Sequence, residues 1–217
     1  MYQSVIFDLD GTLLDTLEDL ADATNWVCTR HGWPNHPVPA FKEYVGNGAE
    51  KLLERVLPAE VEQTDELKRQ LYNEFTGRYT AHSGDKTTVY AGMPELISKV
   101  KAAGVTVAVL TNKPHEAAKP VVERYYPGLF DHVQGALPDM PTKPDPTLLL
   151  RLMEQIGADP ACTLFVGDSN VDIRTAKNGG LPGCGVLWGF RSREELLGEG
   201  ADYLAASASE LEQIILG

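Results

Sequence analysis

The chain is predicted to fold as a doubly wound α/β domain around a mainly parallel sheet, with an all-α insertion directly after the first strand. Three observations predict this. Ser4–Leu9 reads as a strand whose body, Val5-Ile6-Phe7, is a continuous β-branched and aromatic apolar run, the pattern of a central parallel strand covered on both faces. Between Asp15 and His82 no strand pattern occurs, only helical spacing and chain breakers. From Val89 onward, strand-like and helix-like segments alternate, as in successive βα units.

The elements follow in order. Thr16–His31 carries Leu17, Leu20, Ala21, Trp26 and Val27 at helical spacing, with Thr16 as expected cap and Glu18 and Asp19 near the positive helix end. Pro34, Pro37 and Pro39 break the chain. Short helices are expected over Phe41–Val45 and Ala49–Leu57, separated by the turn Gly46-Asn47-Gly48, and a longer one from Asp65 to Thr80. Pro94 suits the first turn of a helix that Gly104 ends. Strands are then expected at Val105–Leu110, Asp131–Leu137, Thr163–Val166, Gly185–Trp188 and Tyr203–Leu204. Helices are expected at Pro114–Tyr126, Pro146–Ile156, Val171–Asn178, Glu194–Leu197 and Ser209–Ile215. The result is a Rossmann-like core of residues 1–14 and 83–217 and a helical domain of residues 15–82.

Composition narrows the function. With 217 residues and 43% of them hydrophobic, the chain can bury a substantial core. Its formal charge of −12, from 31 acidic and 19 basic residues, disfavours binding to nucleic acid, although local donors or a metal can still hold a small anion. Cys28, Cys162 and Cys184 lack the spacing of a disulfide framework or zinc site and suit a reducing compartment. No apolar stretch is long enough to span a membrane, and the expected location is cytoplasmic.

In such a fold ligands bind outside the carboxyl ends of the strands. Those ends carry Asp8 and Asp10, Thr111-Asn112-Lys113, and Gly167-Asp168-Ser169 with Asp172 beyond; Lys143 precedes a helix. Each has an ordinary explanation alone: Asp168 as a helix cap, Thr111-Asn112 as a turn, Lys143 as a surface lysine. Independent capping does not explain why they fall together. Four carboxylates in one crevice repel, and a hard divalent ion such as Mg²⁺ is their natural neutraliser. One carboxylate can then attack phosphorus, and another two residues away can serve as general acid and base. Thr111 and adjacent amides can donate to phosphoryl oxygens, and Lys143 can offset their charge.

Asp8-Leu9-Asp10-Gly11-Thr12, Leu110-Thr111-Asn112, Lys143-Pro144 and Gly167-Asp168-Ser169-Asn170-Val171-Asp172 resemble, in order, the four motifs of the haloacid dehalogenase-like hydrolase superfamily. The resemblance implies that Asp8 is the nucleophile and forms an aspartyl-phosphate. It makes Asp10 the residue that protonates the leaving alcohol and then activates water. It implies Mg²⁺ on the Asp8 carboxylate, the Asp10 carbonyl and Asp168, with Asp172 supporting the metal's waters. Thr111, Asn112 and Lys143 would bind the phosphoryl group, and the helical domain would be a mobile cap that excludes water. Tyr44–Ala49, Thr111–Pro114 and Trp188-Gly189-Phe190-Arg191 further resemble the phosphoglycolate phosphatase branch. On that likeness Gly46, Asn47 and Gly48 would face the site and select a small carboxylate; an ordinary interhelix turn is the other reading. Arg191 is expected to be a surface charge without a site role.

The expected partner is a small phosphorylated substrate, with no nucleic acid and no membrane; monomer and homodimer are both compatible with the sequence. Asp10 argues against a dehalogenase, since halide needs no proton donor. A β-phosphoglucomutase-like sugar phosphomutase would be expected to place basic residues in the cap, whereas none follows the Gly46–Gly48 turn before Lys51. A pyrophosphatase or a broad sugar-phosphate phosphatase stays open. A receiver-type signalling domain is shorter and lacks the insertion, and a catalytically silent binding protein would be expected to lack one of the key carboxylates.

Overall fold

The computed structural model describes every residue from Met1 to Gly217. Two compact units are present: Met1–Asp15 with Val89–Gly217, and Thr16–Thr88. The first is built on a six-stranded parallel sheet. Its strands are β1 (Ser4–Phe7), β4 (Thr106–Pro114), β5 (His132–Ala136), β6 (Thr163–Gly167), β7 (Gly183–Val186) and β8 (Tyr203–Ala205), in spatial order β5-β4-β1-β6-β7-β8. Two short strands, β2 (Leu14–Asp15) and β3 (Thr88–Val89), pair separately where the chain leaves this unit and returns.

The period-two geometry of the strands divides the core between two faces. Val5 and Phe7, Val107 and Val109, and Leu164 and Val166 pack with helices α5 (Met93–Ala102), α6 (His115–Tyr125) and α10 (Ala208–Leu216). Ile6, Ala108, Leu110 and Phe165 point the other way, against α7 (Thr147–Ile156) and α8 (Asn170–Asn178). β1 is therefore apolar at every position after Ser4, because it has no solvent face. Each such side chain contributes roughly 1.5–3 kcal/mol by burial. Helix α9 (Arg193–Gly198) lies between β7 and β8 in sequence.

Strand ends differ from expectation in informative ways. The β1 ladder stops at Phe7, although the Asp8 N–H still donates to the Val166 carbonyl at 2.8 Å. Then Leu9 O accepts from Thr12, Leu13 and Leu14 in a tight turn with Gly11 at φ +87°. β4 continues past Leu110 to Pro114, with a register shift against β5, so Thr111–Lys113 is strand and not a turn. β7 covers Gly183–Val186 rather than Gly185–Trp188: Gly183, Cys184 and Gly185 align with Phe165, Val166 and Gly167. Glycine has low strand propensity, so main-chain pairing decides this segment.

The second unit is helical: α1 (Leu17–Arg30), α2 (Phe41–Tyr44), α3 (Ala49–Val56) and α4 (Asp65–His82). Its buried residues recur at three and four, as in Leu71, Phe75 and Tyr79 of α4. Thr16 occupies the N-cap position of α1, but its Oγ is buried without a hydrogen bond, because its backbone (φ −105°, ψ 5°) is not extended. Asp19 does the anchoring instead. It accepts from the N–H groups of Gly84 (2.8 Å), Lys86 (3.0 Å) and Thr87 (2.9 Å), and from the Thr87 hydroxyl (2.6 Å). These bonds tie residues 84–87 to α1, so the unit ends at Thr88, later than the expected residue 82.

Asp19→Ala leaves three backbone donors without their acceptor and is expected to destabilise the helical unit by about 3 kcal/mol, read as a lower thermal midpoint. A second expectation concerns Asp131, which accepts from the Val107 N–H (3.0 Å) and from Lys101 Nζ (2.8 Å). Burial raises its pKa, but Lys101 and the Val107 amide outweigh burial and hold it below the usual carboxylate range. A depressed folded-state pKa stabilises above the unfolded value and is lost as pH falls through the folded one. Asp131→Asn should therefore melt earlier than wild type at neutral pH, and the two curves should converge in strong acid.

Candidate active site at the carboxyl edge of the sheet

The carboxyl ends of β1, β4 and β6 bring the sequence-predicted core residues together. Asp8 follows β1 and is buried. Lys143 Nζ lies 2.8 Å from Asp8 Oδ1 and 2.6 Å from Asp172 Oδ1. Lys143 is itself buried over the Phe165 ring, 5.7 Å from its centroid. Asn112 fixes its backbone from both sides: the side-chain oxygen accepts from Lys143 N at 2.9 Å and the amide donates to Lys143 O at 3.1 Å. The Asn112 side chain thus holds the lysine that faces Asp8.

The loop after β6 settles which acid caps α8. Ser169 is the N-cap, and Asp172 Oδ2 accepts from the Ser169 N–H (3.0 Å) and hydroxyl (2.6 Å), a reciprocal capping box. Asp168, free of capping, is cradled differently. Its Oδ1 accepts from Thr12 Oγ at 3.3 Å and its Oδ2 from the Phe190 N–H at 2.8 Å. Glycine is required on both sides of it. A Cβ on Gly11 would lie 2.3 Å from Asp168 Oδ2, and one on Gly189 would lie 2.2 Å from Asp168 Cβ. The Trp188 indole fastens the same loop through Nε1 to Thr12 O at 3.0 Å.

Two residues to which the sequence reading gave no role lie in the site. Lys113, buried on β4, places Nζ 3.0 Å from Asp10 Oδ1. It lies two residues beyond the buried Thr111, whose Oγ accepts the Lys113 N–H at 3.1 Å; the two share a strand face only because β4 runs past the expected end at Leu110. Arg191, expected on the surface, is buried and acts electrostatically on Asp168. The loop after β7 carries it inward, which no local pattern encodes.

Electrostatics define what the crevice lacks. Carboxylate oxygens of Asp8, Asp168 and Asp172 all lie within 4.8 Å of one another. Burial, reinforced by the Asp172 charge, raises the Asp8 pKa well above the carboxylate range despite Lys143. Burial and Asp172 push Asp168 up to about 7, against the Phe190 N–H, Lys143 and Arg191. Burial disfavours the charge of Lys143, but Asp172 and Asp8 outweigh it and keep its ammonium protonated. Burial and the nearby Asp15, Asp168 and Asp10 keep the Tyr90 hydroxyl neutral. Four carboxylates face three cations, Lys113, Lys143 and Arg191. Buried, closely spaced, all-oxygen donors fit a hard divalent cation. Asp8 is the least committed of the three clustered acids, with only its Oδ1 paired, to Lys143, whereas both oxygens of Asp168 accept from Thr12 and Phe190 and both of Asp172 accept from Lys143 and Ser169.

In the helical unit, Arg55 donates to Tyr44 O and to Asn47 Oδ1, each at 2.7 Å, so the Gly46-Asn47-Gly48 turn is braced by a residue of α3.

A model of the haloacid dehalogenase-like hydrolase family matches residues 5–186, and the chain belongs to that family. It is 33% identical over 219 residues to a phosphoglycolate phosphatase of Vibrio vulnificus, covering 98% of this chain and 95% of the relative. It is 32% identical over 217 residues to an N-acetylmuramic acid 6-phosphate phosphatase of Pseudomonas aeruginosa, covering 98% and 94%. A crystal structure assigned as a phosphoglycolate phosphatase from Lactobacillus delbrueckii subsp. bulgaricus superposes with a TM-score of 0.91 at 31% identity, covering 100% and 99%. The chain is an enzyme, a phosphatase of this family.

Gly189→Ala should displace Asp168 and weaken Mg²⁺ binding by about tenfold or more, measured by calorimetric titration, with phosphatase activity falling in parallel. Gly77→Ala is the control: a Cβ there meets nothing within 4 Å, and the change should leave Mg²⁺ affinity untouched.

Proposed function

We propose that this phosphatase hydrolyses a small phosphomonoester, 2-phosphoglycolate foremost, with Mg²⁺ as cofactor and Asp8 as the phosphorylated residue. One observation carries the reading: Asp8 is buried against Lys143, and a second carboxylate two residues on, Asp10, is paired with a different lysine. Two neighbouring acids in separate electrostatic settings suit separate roles.

Asp8 attacks phosphorus while Lys143 holds its carboxylate in place. Thr111 and the main chain around Asn112 receive the phosphoryl oxygens, with Lys143 offsetting their charge. Asp10 gives a proton to the departing alkoxide, then takes one from the water that hydrolyses the aspartyl-phosphate. Mg²⁺, held by Asp8, the Asp10 carbonyl and Asp168, would screen the like charges of nucleophile and phosphate, with Asp172 supporting its waters. Gly46, Asn47 and Gly48 are proposed to contribute to substrate choice. Support for the substrate comes from the relatives that are phosphoglycolate phosphatases and from the resemblance of the Gly46–Gly48 and Trp188–Arg191 segments to that branch.

The test is phosphate release from a panel, with and without Mg²⁺: 2-phosphoglycolate, N-acetylmuramic acid 6-phosphate, glucose 6-phosphate, pyrophosphate, and β-glucose 1-phosphate with glucose 1,6-bisphosphate. The expected result is Mg²⁺-dependent turnover, highest on 2-phosphoglycolate and reduced by roughly three orders of magnitude or more in Asp8→Asn. Wild-type turnover in Asp8→Asn would remove the nucleophile assignment. Glucose 6-phosphate formed without net phosphate release would make the chain a mutase.

A further inference from the structure

Lys113 has no part in the chemistry above, yet it is a buried ammonium beside the residue that protonates the leaving group. Its contact with Asp10 is Coulombic rather than directional: Nζ is 3.0 Å from Oδ1, but that oxygen accepts no hydrogen bond.

We propose that Lys113 is a specificity-determining residue whose ammonium binds a carboxylate on the carbon that bears the substrate's ester oxygen. The proposal rests on the phosphatase reading above and names what the site selects. A general acid must come within hydrogen-bond reach of the ester oxygen it protonates. A cation 3.0 Å from that acid is therefore close to the same oxygen. In an ester of a 2-hydroxy acid, one carbon separates this oxygen from the carboxylate, which brings the carboxylate next to the ammonium. A neutral alcohol has no such group, and an anionic group on a longer sugar chain lies too far out.

Charge argues the same way. A phosphate and a carboxylate entering together add negative charge to a crevice already rich in carboxylates, and a buried anion needs a paired cation. Position argues it too. The Lys113 N–H donates to Thr111 Oγ, so the residue proposed to receive phosphoryl oxygens and the proposed carboxylate anchor are fixed to each other on one strand.

The experiment compares kcat/KM for 2-phosphoglycolate with that for 2-hydroxyethyl phosphate, which replaces the carboxylate by a hydroxymethyl group, in wild type, Lys113→Met, Lys113→Gln and Lys113→Arg. Lys113→Met and Lys113→Gln should lower the ratio about 100-fold, and Lys113→Arg should keep more of it. A ratio preserved within about threefold, with both rates falling together and the pH profile moving, would mean that Lys113 works only through Asp10 and overturn the proposal. A wild type with no preference for 2-phosphoglycolate over 2-hydroxyethyl phosphate would overturn the substrate reading itself. Should the variants fail to fold, the wild type is tested on the phosphate ester of 3-hydroxypropionate, whose carboxylate sits one carbon farther out. Its kcat/KM should fall about tenfold or more below that of 2-phosphoglycolate, and equal rates would overturn the proposal.

Discussion

Lys143 lies between Asp8 and Asp172 with no water-exposed surface to speak of, and the arrangement of the site follows from that contact. Removing two carboxylates and an ammonium from water costs several kcal/mol per ion unless each finds its partner. The surroundings supply those partners. Asn112 grips the Lys143 backbone, Ser169 takes the second oxygen of Asp172, and the β6 main chain takes the Asp8 N–H. The lysine has one place to be, and the two acids are held at a set separation on either side of it.

The parallel sheet makes this possible. Three adjacent strands, β4, β1 and β6, run in the same direction, so residues far apart in sequence arrive at one edge. Their apolar bodies supply the stability, and their ends are left to carry groups that stability alone would not select. Asp168 illustrates the division. It contributes nothing to the cap of α8, and instead two glycines leave room for its carboxylate and the Thr12 hydroxyl donates to it.

The fold and most of the site were legible because both have local signatures. Continuous apolar runs marked the buried strands, and the acids at their ends stood out as a set. What was not legible depends on distant partners. Asp19 looks like one more acid near a helix start, yet the groups it binds lie 65 to 68 residues away. Lys113 looks like an ordinary lysine until β4 is known to run on to Pro114. Arg191 is buried by the path of a loop. Thr16 has the residue type and position of a cap but lacks the backbone angles that let its hydroxyl turn back. β7 is pairing-driven and glycine-rich, so composition understates it.

The order of strands across the sheet also bears on how the chain is made. β1 is a central strand, but its neighbours β4 and β6 are synthesised after it and only once the entire helical unit has been made. Long-range parallel pairing of this kind is slow, since loop closure must precede the contacts that reward it. Until those neighbours arrive, a strand that is buried at every position in the folded protein is an unpaired edge in the growing chain, a stretch in need of protection from other chains during synthesis.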